Sequence, residues 1–542
     1  MLDLCFHTAD GRPLSPAPRP GLKAGVWRVC PGRLATVIRF RVPIRDVQGW
    51  WAPSLRQPSF KLDWRIEANT APHRDAPFIA FINQRGQNRC AAGLAGPVGD
   101  VRIQALMDQS TATYAVEFTV AAMEDGASFD LVVDETERPW DECLGQFLAA
   151  AAPCPSFPPA AWQPVYCTWY ARHAAVSTAW VERAALAASR LGFRTMIVDD
   201  GWCIDADKRV SPQTITDWYA DIGDWRPSPR KFPDMPGHVR AVQDMGMSYM
   251  LWVAPLMLGV RSKAHAALRG ACFDDETEGY RVLDPQRGEE SEAVIRRMAE
   301  LMKDNGLDGL KVDFLDAVPA TLEAGRGHAM RRFMTRLAHA IRAVKPDALI
   351  EYRQRYNGPQ ALPCATQFRA GDVPFDFLDN LHRIAQVRLA VGSRVPVHAD
   401  PAFWRADETE DNIARHMICA MAGVPMLSMD LDQTPPGAAE AVRRWNGFYL
   451  EHLVTWRQGD WTVRYGLGPM ESIACSTAAE TIAIVTTPAA MPALLEQARG
   501  SLWVLNVSAQ FIPGPFRQTV DALRRPASPG RVPPAGMGIV SG

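Results

Sequence analysis

The stretch ESEAVIRRMAELMKDNGLDGLKVDF, residues 290–314, carries the grammar of the whole centre of the chain. Val294, Ile295, Met298, Leu301 and Met302 recur at the three- and four-residue spacing that puts apolar side chains on one face of a helix. Gly306 supplies a stop, because glycine enters the left-handed conformation that ends helices without a steric penalty. Directly after it, DGLKVDF (308–314) is a short apolar run ending on a charge, which predicts a strand. A helix, a turn and a strand in this order form the repeating unit of a parallel sheet.

Working outward, the unit recurs. Strands are expected at VYCTWY (165–170), RTMIVDD (194–200), MSYMLWVAP (247–255), DGLKVDF (308–314), ALIEYR (348–353), QFRAGD (367–372), VPVHAD (395–400) and VPMLSMD (424–430). Met330, Phe333, Met334, Leu337 and Ile341 mark the next helix. Eight such units over about 270 residues match a (β/α)8 barrel. Before it, VWRVC (26–30), LATVIRF (34–40), PFIAFI (77–82), TYAVEFTV (113–120) and SFDLVV (128–133) are short strands bounded by turn residues. The expected architecture is therefore α/β: a TIM barrel at 151–455, an N-terminal β-sandwich at 1–150, and a small C-terminal β domain at 456–542. An Ala- and Pro-rich linker (149–164) divides the first two. The Pro-, Arg- and Gly-rich tail from about 524 is expected to be poorly ordered.

Composition narrows the function. A net charge of −2 provides no basic field for nucleic acid or an anionic membrane. The 11 cysteines form no C-x-x-C pair, which argues against a zinc site or a disulfide framework. The N-terminus has no basic start followed by an apolar run, and no 18-residue apolar stretch exists, so a cytoplasmic location is expected. The 17 Trp stand out, since indole rings stack on sugar faces, although they also fill cores.

The strand ends carry the chemistry. They finish on Trp169-Tyr170, Asp199-Asp200, Trp252, Asp313, Arg353, Asp372, Asp400 and Asp430, at the end of the barrel where active sites form. Any one of these acids could be a helix cap; so many at one phase of the repeat point to a site. Several carboxylates, aromatic rings and a lysine with few histidines suggest carbohydrate chemistry. Glycoside cleavage needs one acid to protonate the leaving oxygen and a second carboxylate against the oxocarbenium-like centre. Asp313 and Asp372, closing strands four and six, suit those places, and Lys311 shares a strand face with Asp313. The spread of acids over separate strands, without H-x-H or H-E-x-x-H spacing, argues against a metal, and no cofactor motif is present. His398 and Asp400 are read as packing and orientation partners.

These residues resemble glycoside hydrolase clan D, in particular the family 36 α-galactosidases and their raffinose-synthase-like relatives. The resemblance runs from YCTWYARHAAVS and MIVDDGWC through GDW, KFP and LWVAP (223–255) to LKVDF, FRAGD, HADPAFW and MAGVPMLSMDLD. It implies a retaining exo-acting hydrolase with Asp313 as nucleophile and Asp372 as acid/base. Asp199 and Asp200 would bind the 4- and 6-hydroxyls and Lys311 their neighbours. Trp169, Trp252 and Trp202 would form an aromatic wall, and Arg369 would orient the acid/base region. The implied substrate is a small oligosaccharide or glycoside; the oligomeric state is not to be borrowed from relatives.

The sequence also departs from the group. Tyr170 stands where many relatives carry an acid. EYRQRYNGP lacks the Cys- and Gly-rich strand-five signature and brings Arg353 and Arg355, which either face the mouth or pair with acids elsewhere. Asp376 and Asp379 remain secondary acid/base candidates. Alternatives left open are a raffinose-synthase-type transglycosylase, a clan D enzyme for another or an acidic sugar, and a non-catalytic sugar-binding protein. The two-aspartate mechanism predicts a bell-shaped pH–rate profile whose upper limb belongs to an acid with a raised pKa.

Overall fold

Eight short parallel strands make the central sheet: β1 (Val165–Cys167), β2 (Thr195–Val198), β3 (Ser248–Val253), β4 (Gly309–Val312), β5 (Leu349–Arg353), β6 (Gln367–Arg369), β7 (Val397–His398) and β8 (Met426–Leu427). They neighbour one another in chain order, and β8 pairs with β1. A parallel bridge between His398 and Val424 closes the ring. This computed structural model describes residues 2–18, 25–124, 126–151, 154–211, 213, 215–466 and 468–540; residues 152–153 of the linker and 541–542 of the tail lie outside them.

The helices follow the apolar periodicity. Gly288–Asn305 buries Val294, Ile295, Met298, Leu301 and Met302, and Gly306 caps it at φ 64°. Arg326–Val344 buries Met330, Phe333, Met334, Leu337 and Ile341. Full burial of each such side chain is worth about 1.5–3 kcal/mol, and together they fix the outer ring against the strands. Most strands are shorter than the runs that predicted them, so the acids past them lie in the first residues of the loops.

Two elaborations have no periodic signature. Residues 199–234, after β2, form a long segment without regular helix or strand among the described residues. After β3, Met257–Gly259, Cys272–Thr277 and Tyr280–Leu283 form a three-stranded antiparallel sheet.

The N-terminal region is a pair of antiparallel sheets. One contains Thr36–Pro43 and Thr113–Val120, the latter alternating buried and half-buried positions as a two-faced strand should. The other contains Phe78–Ile82, buried throughout. Its Ile79 and Phe81 face the sandwich core, while Phe78, Ala80 and Ile82 join the core of the barrel. One sheet thus serves two cores and fixes the N-terminal region to the barrel.

A six-stranded sheet follows the barrel, from Asp460–Tyr465 to Met537–Val540. The tail expected to be poorly ordered is held instead: Met537–Val540 pairs with Ser501–Asn506 and Gln518–Val520, and Arg531–Val532 pairs with Ile512–Pro513. Its prolines and glycines punctuate short strands whose Val532 and Met537 are buried.

Candidate active site

Past the ends of β1 to β7, a narrow cavity of about 40 Å³ opens between the strand-end residues. Five carboxylates line it, from Asp199, Asp200, Asp313, Asp372 and Asp400, with the cations Lys311, Arg353 and Arg369. Trp169, Tyr170, Tyr219, Trp252 and Phe314 supply aromatic walls.

Asp313 follows β4 and is buried. Phe314 beyond it adopts a left-handed conformation, φ 56°, which a bulky residue keeps only where its surroundings impose it. That turn lets the Phe314 N–H donate to Asp313 Oδ1 at 2.8 Å. Trp252 Nε1 donates to Asp313 Oδ2 at 2.9 Å, and Arg353 Nε lies 2.8 Å from Oδ1. Burial would raise the Asp313 pKa, but Arg353, Lys311, Arg369 and the indole N–H outweigh it and hold the group below its ordinary value.

Asp372, half-exposed at the rim, lies 2.8 Å from Arg369 Nη2 and 3.4 Å from Arg353 Nη1. Desolvation pushes its pKa up; Arg369, Arg353 and Lys311 prevail and hold it well below the carboxylate range. The raised pKa expected for an acid is therefore not a property of the resting site. Arg369 also pairs with Asp400, which accepts from Tyr170 at 3.0 Å and from the Val373 N–H at 2.8 Å. Burial, aided by Asp372 and only partly countered by Arg369, lifts Asp400 to about 7.

On the opposite wall, Lys311 Nζ lies 2.5 Å from Asp199 Oδ2, with both side chains about 5% exposed or less. Cys167 adds its thiol to the same oxygen at 3.1 Å. Asp200 accepts from Trp218 Nε1 at 2.7 Å, and burial raises it to about 7. Gly201 has φ 110°, and a Cβ there would stand 2.3 Å from Ala174 Cα, so the turn after the two acids requires glycine. Below the cavity, His398 Nδ1 and Glu351 form a buried pair at 2.7 Å, an orienting contact as expected for that histidine.

The structure thus brings Trp169, Asp199, Asp200, Trp252, Lys311, Asp313, Arg353, Arg369 and Asp372 to one cavity. Other expectations need correction. Asp430 pairs with Arg172 and does not line the cavity. Trp202 is fully buried behind the wall, donating to the Trp252 carbonyl at 2.8 Å. Arg355 turns to Asp75 of the N-terminal region at 2.8 Å. Asp376 caps the helix Phe377–Val391 and Asp379 pairs with Arg56 at 2.6 Å, so neither competes with Asp372. Tyr219 and Phe314 were missed as lining residues. Tyr219 arrives from the aperiodic segment after β2 and stacks near Trp252, rings 6.4 Å apart; no sequence signal marks it. A larger cavity, about 670 Å³, lies between the N-terminal region and the C-terminal sheet around Trp140 and Tyr465, and no barrel strand end reaches it.

Residues 161–341 match the melibiase family, a stretch holding β1 to β4 and ending before β5. The probable alpha-galactosidase G of Emericella nidulans is 27% identical over 161 residues, covering 27% of this chain and 21% of that protein. Alpha-galactosidase AgaA of Geobacillus stearothermophilus is 23% identical over 195 residues, 35% of this chain and 23% of that protein. The matched sequence thus spans under a quarter of these relatives. In three dimensions the likeness is broader. The family 36 AgaA structure in complex with stachyose has a TM-score of 0.69 at 13% identity, covering 99% of this chain and 89% of that one. The Thermus thermophilus alpha-galactosidase TtGalA has a TM-score of 0.57 at 17% identity, covering 85% and 98%. The first half of the barrel is accordingly similar to the melibiase family, and the chain as a whole has the fold of the family 36 α-galactosidases.

Proposed function

We propose that this chain is a retaining exo-α-galactosidase acting on small oligosaccharides or glycosides. The observation that carries the reading is the pair Asp313 and Asp372, which line one cavity from either side of β5, with the arginine that ends β5 touching both. Asp313, ionised and held by the Trp252 and Phe314 N–H groups, attacks the anomeric carbon. Asp372, half-exposed where a leaving group would depart, protonates the leaving oxygen and then activates water. Because two guanidinium groups hold Asp372 ionised at rest, its proton is taken up as substrate fills the cavity and weakens those contacts. Asp199 and Asp200 receive sugar hydroxyls, and Asp200, near half protonation at neutral pH, can donate as well as accept. Trp252, Tyr219 and Trp169 provide apolar faces for the ring.

A neutral sugar suits the charges better than an acidic one. Lys311, Arg353 and Arg369 each already contact a carboxylate, so none of these three lining cations is left over for an anionic substituent. The 11 cysteines are all unpaired, three of them exposed, which supports a reducing, cytoplasmic setting.

The test is a screen of p-nitrophenyl glycosides with wild type and Asp313→Ala in parallel. Release from the α-galactoside that the variant loses by several orders of magnitude is the expected result. Turnover of another glycoside alone would withdraw galactose, and an unchanged Asp313→Ala rate would withdraw the nucleophile.

A further inference from the structure

Arg353 ends β5, between the strand preceding Asp313 and the strand preceding Asp372. Its Nε is 2.8 Å from Asp313, its Nη1 3.4 Å from Asp372 and its Nη2 3.8 Å from Asp316. The guanidinium lies over the Phe314 ring, 4.7 Å from the centroid, and the side chain is 15% exposed. The N-terminal region braces both loops involved. Asp75 takes Arg355 at 2.8 and 3.0 Å and donates its N–H to the Arg355 carbonyl at 2.8 Å. Arg74 donates to the Asp316 carbonyl at 2.6 Å.

We propose that Arg353 is a positioning residue that clamps Asp313 and Asp372 together from the barrel wall and sets the pH window of the site. The proposal rests on the reading of these two groups as nucleophile and acid/base. In the first step Asp313 Oδ bonds to the anomeric carbon while the bond from that carbon to the leaving oxygen breaks. The proton on Asp372 passes to that oxygen. The negative charge therefore leaves Asp313, which becomes an ester, and appears on Asp372. A cation in contact with both groups accompanies the charge without having to travel, which keeps reorganisation small.

Removing that cation disfavours the ionised form of both carboxylates. Lys311 and Arg369 remain beside them, so the change is partial. Asp199, Asp200, Asp316 and Asp400 act in the opposite sense, raising the cost of further negative charge. The hydroxyls of Tyr170, Tyr219, Tyr280 and Tyr356 around the cluster are neutral, because burial raises the pKa of each.

The experiment compares wild type, Arg353→Lys and Arg353→Met by two independent readings. Carbon-13 carboxyl NMR titration of aspartate-labelled protein, assigned with Asp313→Asn and Asp372→Asn, needs no substrate. The pH dependence of kcat is measured on the nitrophenyl galactoside, because kcat reports the groups of the substrate complex, in which Asp372 carries its proton. Arg353→Met should raise both carboxyl pKa values by about one unit or more and move both limbs of the profile to higher pH, with Arg353→Lys in between. Should Arg353→Met fail to melt cooperatively, Arg353→Gln replaces it. Titration curves that stay in place in a folded neutral variant overturn the clamp, as does a loss confined to KM. Shifted carboxyl titrations in a protein that cleaves no glycoside would sink the functional reading and leave the clamp standing.

Discussion

The Lys311–Asp199 pair offers the sharpest test of the site's geometry, because its energy can be argued without reference to catalysis. Both side chains are about 5% exposed or less and the ions are 2.5 Å apart. Lys311→Met keeps the length of the side chain and removes the charge. Asp199 then retains only the Cys167 thiol and the Asp200 N–H, at 3.1 and 2.9 Å, and neither is an ion. Breaking a buried pair from one side costs about 3–5 kcal/mol, because the remaining charge is uncompensated. At about 2–4 °C per kcal/mol for a unit of barrel size, that lowers the melting temperature by about 6–20 °C. The double variant Lys311→Met/Asp199→Asn buries no charge and should regain most of the loss, giving a coupling of at least about 2 kcal/mol in a double-mutant cycle. Thermal and guanidinium unfolding of wild type, both single variants and the double variant supply the four values. A Lys311→Met protein within 1 kcal/mol of wild type would refute the reasoning, as would a double variant whose loss equals the sum of the single losses.

Trp252→Phe removes one hydrogen bond to a buried carboxylate, worth about 1.5–3 kcal/mol. That corresponds to about one to two pKa units on Asp313, so the acid limb of kcat/KM should move to higher pH; a stationary limb would deny the indole that role. Asp200 is raised to about 7: the folded protein binds its proton more tightly than the unfolded chain, so this group makes stability fall as pH rises from about 4 to 7. Asp200→Asn lacks that titration, and its stability relative to wild type should improve across the same window and then level off, as denaturant unfolding at a series of pH values would register. Asp75→Ala breaks an ion pair whose arginine is 47% exposed and free to turn to solvent, so the loss should be only about 1–2 kcal/mol. Its kcat/KM should fall less than tenfold, and a hundredfold fall would mean that the N-terminal brace does far more than steady the β5 loop.

The barrel was legible because its signal is repetition. A strand interior buried on both faces carries charge only where a partner meets it, as Asp199 meets Lys311 and His398 meets Glu351. Acids therefore gather where the strands run out, and eight runs, nearly all ending on polar or aromatic residues, mark both the fold and the cavity. Asp199, Asp313 and Asp372 could be read in this way without knowing a single contact. What could not be read depends on where the chain turns after the strand. Arg353 and Arg355 share one phase of an ideal strand, yet β5 ends at Arg353 and the alternation no longer applies. Arg353 faces the carboxylates while Arg355 swings to Asp75. Trp202 fails for a related reason: Gly201 turns the backbone at φ 110° and buries the indole behind Trp252. Asp430 lies three residues past β8, where the chain has already left the mouth for Arg172.

The charges explain why such a site tolerates five acids in a small space. Three cations contact Asp199, Asp313, Asp372 and Asp400, while Asp200, held by the Trp218 and Gly201 N–H groups, is raised by burial to about 7. Asp400 also reaches about 7 despite its arginine, because burial and the neighbouring Asp372 outweigh it. Burial thus favours the neutral form of these two groups and lessens the excess of negative charge in the cluster. A substrate that brought its own carboxylate would have to draw Lys311, Arg353 or Arg369 from an existing partner, and desolvating the abandoned acid would cost more than a rim ion pair returns. A neutral sugar asks less: it loosens only the half-exposed Asp372 from its guanidinium groups, while Asp199, Asp313 and Asp400 keep their cations.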